Sequence, residues 1–331
     1  MDRLACRRPI VLLLVALAQA LSIPGVSGAQ GLLDLLGAKQ PAVEEVVVSG
    51  PATEQNKVLL VQIKGLIMGQ VEGVVVERPG SPERLRWQLE KAIKDTWVKG
   101  LLVEIESPGG EVTASDVMYH ALKDSRSYHK RVVALLGSVA ASGGYYVAAG
   151  ADQIVAHPTT ITGSIGVLMH AMNVTSLLDK LGMKVAAIKS VSTPLKDMMS
   201  PLREMTPEER KLLEGVIDEL YDRFVGIVAD SRKLTREQAK KVADGRIFTA
   251  RQALELKLID EIGYRDDAFK AVLKLAGLKS AKLVRYKKPG SLFEALSGVS
   301  GLMQQVSGLL EPGGMASLGF PKVMYLAPVG W

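Results

Sequence analysis

The sequence predicts an α/β fold, with parallel βαβ units in its first part and a helical C-terminal half. Two observations predict this. Short, nearly continuous apolar runs recur between helical patterns, as buried parallel strands require. Capping signatures then open helices with apolar faces further on.

The elements follow in order. Residues 57–64 carry Val58, Leu59, Leu60, Val61 and Ile63 and read as a first buried strand. Ser81-Pro82-Glu83 reads as a helix start, with Ser81 as N-cap and Pro82 at the first helical position. Leu85, Leu89, Ile93 and Trp97 then give one apolar face. A strand at 100–105 ends in Ser107-Pro108-Gly109-Gly110, and a helix over about 114–127 leads to a strand at 132–136. A serine turn and a helix at 143–149 come next, then short strands at 153–156, 166–169 and 185–188. Thr206-Pro207-Glu208-Glu209 is a capping box opening a long helix with a stripe of Leu213, Ile217, Leu220, Phe224 and Ile227. Thr235 with Gln238 and Thr249 with Gln252 repeat the pattern. No internal repeat is visible.

Composition narrows the function. The chain of 331 residues is 47% hydrophobic and 23% charged, a globular balance. Its net charge of +6 is diffuse and partly resides in Arg3, Arg7 and Arg8, so no nucleic-acid partner is expected. The single cysteine, Cys6, leaves the body without a thiolate nucleophile or Cys metal site. His120, His129, His157 and His170 are scattered, so neither a metal nor another cofactor is expected.

Residues 1–29 read as a signal peptide or N-terminal membrane anchor: three arginines, an apolar run, Pro24-Gly25, and the small residues Ser27-Gly28-Ala29. Either way the body is expected outside the cytoplasm. Residues 30–56 read as a linker. Residues 276–331 read as a C-terminal extension. There Leu292, Leu296, Val299, Met303, Val306 and Leu310 form an amphipathic stripe among Ser and Gly, suited to packing or an oligomer contact.

The chemistry centres on Ser142 and Lys196. Ser142-Gly143-Gly144 lies between an apolar strand and an apolar helix and can present its hydroxyl to a cleft. A serine hydroxyl is a weak nucleophile until a base takes its proton. A lysine in water must be shifted about 3.4 units to be neutral at pH 7, roughly 4.6 kcal/mol at ~1.36 kcal/mol per unit. Leu195, Met198 and Met199 flank Lys196 and are expected to supply burial. In an extended backbone Asp197 would face away from it. Gly110 and Gly143 are candidate oxyanion donors, because glycine lets backbone N–H groups approach a substrate closely. Tyr145 and Tyr146 read as core or wall residues.

Five motifs in order carry a family resemblance. They are Ser107-Pro108-Gly109-Gly110, Ala141-Ser142-Gly143-Gly144-Tyr145-Tyr146, Thr160-Ile161-Thr162-Gly163-Ser164-Ile165-Gly166-Val167, Lys196-Asp197-Met198-Met199-Ser200-Pro201 and Asp244-Gly245-Arg246-Ile247-Phe248-Thr249. The chain resembles the signal peptide peptidase A family, bacterial Ser–Lys endopeptidases, in its single-repeat form. The resemblance implies a Clp/crotonase-like parallel-sheet βαβ superhelix and a peptidase domain over 57–275. It implies Ser142 as nucleophile, Lys196 as general base, Gly110 and Gly143 as oxyanion hole, and Ser164 as a group orienting the lysine. A turn serine satisfying a backbone group is the alternative for Ser164. It also implies a homo-oligomer whose sites are shared between protomers. The substrate would be remnant signal peptides, hydrophobic fragments cut at the bacterial inner membrane on its periplasmic side. Glu106 stands where that family usually has Asp, and Lys257 where it usually has Gly. Two other readings stay open: an acyl-CoA hydratase or isomerase of the same general fold, and a non-catalytic oligomeric membrane scaffold.

Overall fold

Parallel pairing of apolar strands builds the core of the computed structural model, which describes residues 44–69, 80–287 and 324–326. By contacts the chain divides into two units. One comprises Glu45–Tyr286 and Val299–Trp331; the other comprises Met1–Glu44 and Lys287–Gly298, of which only Glu44 and Lys287 are described. The leader and the stripe at 292–310 lie outside the described residues.

The strands are β1 (Glu44–Ser49), β2 (Lys57–Lys64), β3 (Val98–Ser107), β4 (Gly109–Glu111), β5 (Arg131–Ala141), β6 (Gln153–Ala156), β7 (Ile161–Gly163), β8 (Ile247–Thr249), β9 (Glu261–Ile262), β10 (Lys282–Lys287) and β11 (Met324–Leu326). The helices are α1 (Ser81–Lys94), α2 (Val112–Ser125), α3 (Gly143–Ala148), α4 (Thr175–Lys180), α5 (Pro207–Arg232), α6 (Arg236–Val242), α7 (Ala250–Glu255) and α8 (Arg265–Ala276). The main sheet runs β1-β10-β2-β3-β5-β6-β9. The pairs from β10/β2 through β6/β9 are parallel. The α/β class, its mostly parallel sheet and its helical second half are therefore as the sequence predicts.

The central strands are buried because both faces are covered. Leu59, Val61, Leu101, Val103, Val132 and Ala134 pack with α1, α2, α3 and α5. Val58, Leu60, Leu102, Val133 and Leu135 pack with Ala268, Ala271 and Val272 of α8 on the other face. This two-sided burial explains the absence of polar alternation in β2, β3 and β5.

Several local expectations are corrected. The stretch read as a linker contains β1, and the region after residue 275 contains β10, which inserts between β1 and β2. Ser81 is the first helical residue and Gly80 the N-cap, with no side-chain cap. A Cβ at Gly80 would stand 2.5 Å from the Gly69 backbone, so close packing selects glycine there. Trp97 lies beyond α1 and is exposed. No strand forms at 166–169 or 185–188. Only an isolated bridge forms at Leu168, and Ile188 is fully exposed. The three capping boxes at Thr206/Glu209, Thr235/Gln238 and Thr249/Gln252 all form as expected. Lys257 takes the left-handed conformation (φ 60°) at the end of α7, and its carbonyl accepts from Arg232 Nε at 2.8 Å.

Candidate active site

Three pieces of backbone meet at Ser142. β5 delivers it: Ala140 and Ala141 pair with Thr162 and Gly163 of β7, and the Ser142 N–H donates to the Gly163 carbonyl at 2.7 Å. The chain then turns sharply into α3, with Ser142 at φ 53°, ψ −118°, outside the usual regions for a non-glycine residue. Such a strained strand-to-helix turn lifts a hydroxyl clear of the helix it precedes. The Ser142 Oγ is buried and has no hydrogen-bond partner among the described residues. Buried polar atoms are rarely left so, and exceptions need an explanation.

The glycines beside it are sterically required. A Cβ on Gly143 would stand 2.5 Å from Ser115 Oγ and 3.1 Å from both Gly109 Cα and Gly110 N. One on Gly144 would stand 2.7 Å from the Ser107 carbonyl oxygen. One on Gly110 would strike the Ile67 carbonyl oxygen at 1.9 Å. The backbone of Gly110 is thereby held against the first residue of α3. The Gly109 N–H donates to Ser107 Oγ at 3.1 Å, and Ile67 brackets β4 through Ile67 N–H to Gly109 O and Glu111 N–H to Ile67 O, both 2.8 Å. Ser142, Gly143 and Gly110 thus form one cluster. Ser164 adjoins it: it follows Gly163 at φ 49°, is buried, and its N–H donates to the Arg246 carbonyl at 2.8 Å.

The bend that precedes the serine is set by Glu106. Its carboxylate accepts from Ser138 N–H at 2.8 Å and Val139 N–H at 3.2 Å. The β3/β5 register shifts here, between Ile105 and Ser107, and Gly137 leaves room for the carboxylate, which a Cβ would meet at 1.9 Å. Tyr145 and Tyr146 are core residues. The Tyr145 hydroxyl donates to the Leu258 carbonyl at 2.7 Å, and burial pushes its phenol up. The Tyr146 hydroxyl donates to Asp116 Oδ1 at 2.6 Å.

Lys196 is placed differently from the expectation. It is exposed, and it lies in successive turns rather than extended backbone, with Lys196 N–H to Thr193 O, Met198 N–H to Leu195 O and Ser200 N–H to Asp197 O. Leu195 is itself exposed, and Met198 and Met199 are half-buried, so these neighbours do not enclose the amine within one chain. The whole segment from 168 to 208 contains no buried residue. Asp197 does stay out of ion-pair range of Lys196, for a reason the sequence did not suggest. Both its oxygens are engaged by Arg203, at 3.0 and 2.9 Å, and one also by Lys189. Arg203 and then Lys189 hold the Asp197 carboxyl well below the usual carboxylate range. Arg203, Lys189 and Glu209 are functional candidates that sequence reading missed.

Comparison with known proteins decides the family. The profile of Peptidase family S49 matches residues 124–279. A Synechocystis protein named "Putative protease slr0021" is 42% identical over 219 residues, 66% of this chain and 78% of that one. An Enterococcus faecium protein named "Putative signal peptide peptidase SppA" is 36% identical over 245 residues, 74% of this chain and 70% of that one. The chain belongs to peptidase family S49. As a member it is a serine peptidase, and the acyl-CoA and scaffold readings give way to that. "Protease 4" of Salmonella typhi is 37% identical over 60% of this chain and 32% of its own length. Among solved structures, a ClpP1 mutant of Listeria monocytogenes aligns at 16% identity with a TM-score of 0.41, over 63% of this chain and 93% of that one.

Proposed function

We propose that this S49 peptidase is an endopeptidase with a Ser–Lys dyad shared between copies of the chain. Ser142 of one protomer is the nucleophile and Lys196 of a neighbour the general base. The N–H groups of Gly110 and Gly143 receive the oxyanion, and Ser164 orients the amine. The observation that carries this is the Ser142 hydroxyl: buried, strained into place beside a glycine cradle, and without a hydrogen-bond partner among the described residues. Lys196 is the complement, exposed on a segment with no buried residue of its own. A neighbour packing on that segment would withdraw the amine from water, which lowers the cost of the neutral form. Ile188 and Val191, almost wholly exposed, are the side chains such packing would cover.

In this reading the neutral amine takes the Ser142 proton as Oγ attacks the scissile carbonyl. Charge building on the carbonyl oxygen meets the two glycine N–H groups. The ammonium then protonates the leaving amine, and water repeats the cycle to release the acyl group.

The substrate class is an extended apolar peptide, with remnant signal peptides as the natural case. Backbone pairing on β4 is the recognition mode. The support is that this edge already accepts an antiparallel strand: β11 pairs there, with Tyr325 opposite Gly110 and Leu326 opposite Gly109. The site of action is the periplasmic face of a bacterial inner membrane, a reading that rests on the Arg-flanked apolar leader. Among the described residues no helix is long and apolar enough to cross a membrane.

The test is substitution in the full chain. Ser142→Ala and Lys196→Ala should each abolish cleavage of an apolar peptide while sedimentation shows the same assembly. Wild-type turnover by either variant would refute the dyad.

A further inference from the structure

We infer that Arg203 is a positioning residue for Lys196: it ties the lysine-bearing turn to the buried start of α5 and keeps the Asp197 carboxylate from the amine. This rests on the assignment of Lys196 as the base.

The turn needs such a tie. No residue of 168–208 is fully buried, so packing among the described residues fixes only weakly where Lys196 points. What joins the turn to the core is a line of charged hydrogen bonds. Glu209 is buried (3% exposed) in the first turn of α5, where its carboxylate accepts from Thr206 N–H at 2.9 Å and its N–H donates to Thr206 Oγ1 at 3.2 Å. Further along, α5 is anchored by the buried Phe224, Val225, Ile227 and Val228. Arg203 grips the Glu209 carboxylate with both terminal nitrogens, Nη1 at 2.9 Å and Nη2 more closely, and Nη1 also donates to the Glu204 carbonyl at 2.9 Å. On its other side Nε and Nη2 hold Asp197. Lys189 closes the loop from the far side, donating to Asp197 and, at 2.6 Å, to the Pro194 carbonyl. One planar guanidinium therefore bridges two carboxylates, a geometry lysine cannot reproduce. Asp197 adjoins Lys196 in the chain, so fixing one restricts the other.

The same contacts serve the chemistry. A free carboxylate beside the base would favour its ammonium form. With both oxygens committed to Arg203 and Lys189, the Asp197 charge is countered by those cations rather than by Lys196.

The experiment uses the full-length chain. Arg203→Met should lower kcat about 100-fold with KM nearly unchanged, because misplacing a catalytic group by about 1 Å costs that much. It should also move the acid limb of the kcat profile up by about half a pH unit, Lys189 still holding the carboxylate in part. Arg203→Lys should restore the limb but not the full kcat. Independently of turnover, amide hydrogen exchange over residues 193–201 should rise about tenfold, with exchange at 224–229 unchanged. Unaltered exchange over 193–201 in Arg203→Met, or a wild-type kcat with a wild-type acid limb, would overturn the proposal. If Lys196→Ala kept full activity, the base assignment would fall. The exchange result would then still decide whether Arg203 holds the turn.

Discussion

Gly143 stands so close to Gly110 that a single added carbon on the one would sit 3.1 Å from the amide nitrogen of the other. The two amides proposed to share an oxyanion come from β4 and from the start of α3, 33 residues apart in sequence. Neither position has room for a side chain: Gly143 is crowded by Ser115 and the Gly109–Gly110 backbone, and Gly110 by the backbone of Ile67.

Gly143→Ala is therefore expected to impair catalysis more than folding. The new methyl would meet Ser115 Oγ at 2.5 Å as well as the Gly109–Gly110 backbone. Relief by shifting Ser115 or the backbone costs about 1–3 kcal/mol, and the moved amides would fall short of the oxyanion. Loss of one such donor costs about 100-fold or more in kcat. Steady-state kinetics beside urea denaturation would separate the two effects, and wild-type kcat would exclude this amide pair from the site.

Glu106 is expected to matter through the backbone. Glu106→Ala leaves the Ser138 and Val139 N–H groups without their carboxylate acceptor, for a loss of about 1–3 kcal/mol in unfolding free energy. Glu106→Gln keeps one acceptor oxygen and should lose less. Equal midpoints for both variants and the wild type would contradict this role.

Acid should loosen the lysine-bearing segment before the sheet unfolds. Arg203 holds the carboxyls of both Asp197 and Glu209 below the ordinary range, with Lys189 adding to the first and the Thr206 N–H to the second. A depressed folded-state pKa means the stabilisation is complete above the unfolded values, about 3.9 and 4.3, and disappears as pH falls through the folded ones. Limited proteolysis within 189–209 should thus accelerate between about pH 4 and pH 2. Cleavage that stayed constant to pH 2 would contradict the pairing.

Removing β11 should ease substrate entry. If peptide substrate pairs on β4, it competes with Met324–Leu326 for the same edge. Deleting residues 324–331, or introducing Tyr325→Pro, should lower KM for an apolar peptide by about tenfold and leave kcat alone, since apparent affinity scales with the fraction of open edge. An unchanged KM would place substrate elsewhere.

What the sequence revealed tracks what is local. β2, β3 and β5 were legible because strands buried on both faces need continuous apolar runs. The capping boxes were legible because both partners lie three residues apart. The serine turn was legible because close approach demanded consecutive glycines. The partners of β1 and β10 were hidden, since each strand's neighbours in the sheet are remote in sequence and its own run is short. The apolar residues at 185–188 misled, because β-branched character alone does not supply a sheet edge. Arg203 was invisible for a related reason. Its carboxylates lie six residues away on either side, a spacing with no helical or strand period, and only the folded turns bring them together.

The division of the dyad between two chains is tested most directly by mixing. Ser142→Ala and Lys196→Ala protomers, each inactive alone, are co-assembled in equal amounts and assayed for peptide cleavage. If the serine of one copy meets the lysine of the next around a closed ring, about a quarter of the interfaces pair an intact Ser142 with an intact Lys196 and activity returns to about that fraction. A verified mixed assembly that stays as inactive as its parents would contradict a shared site.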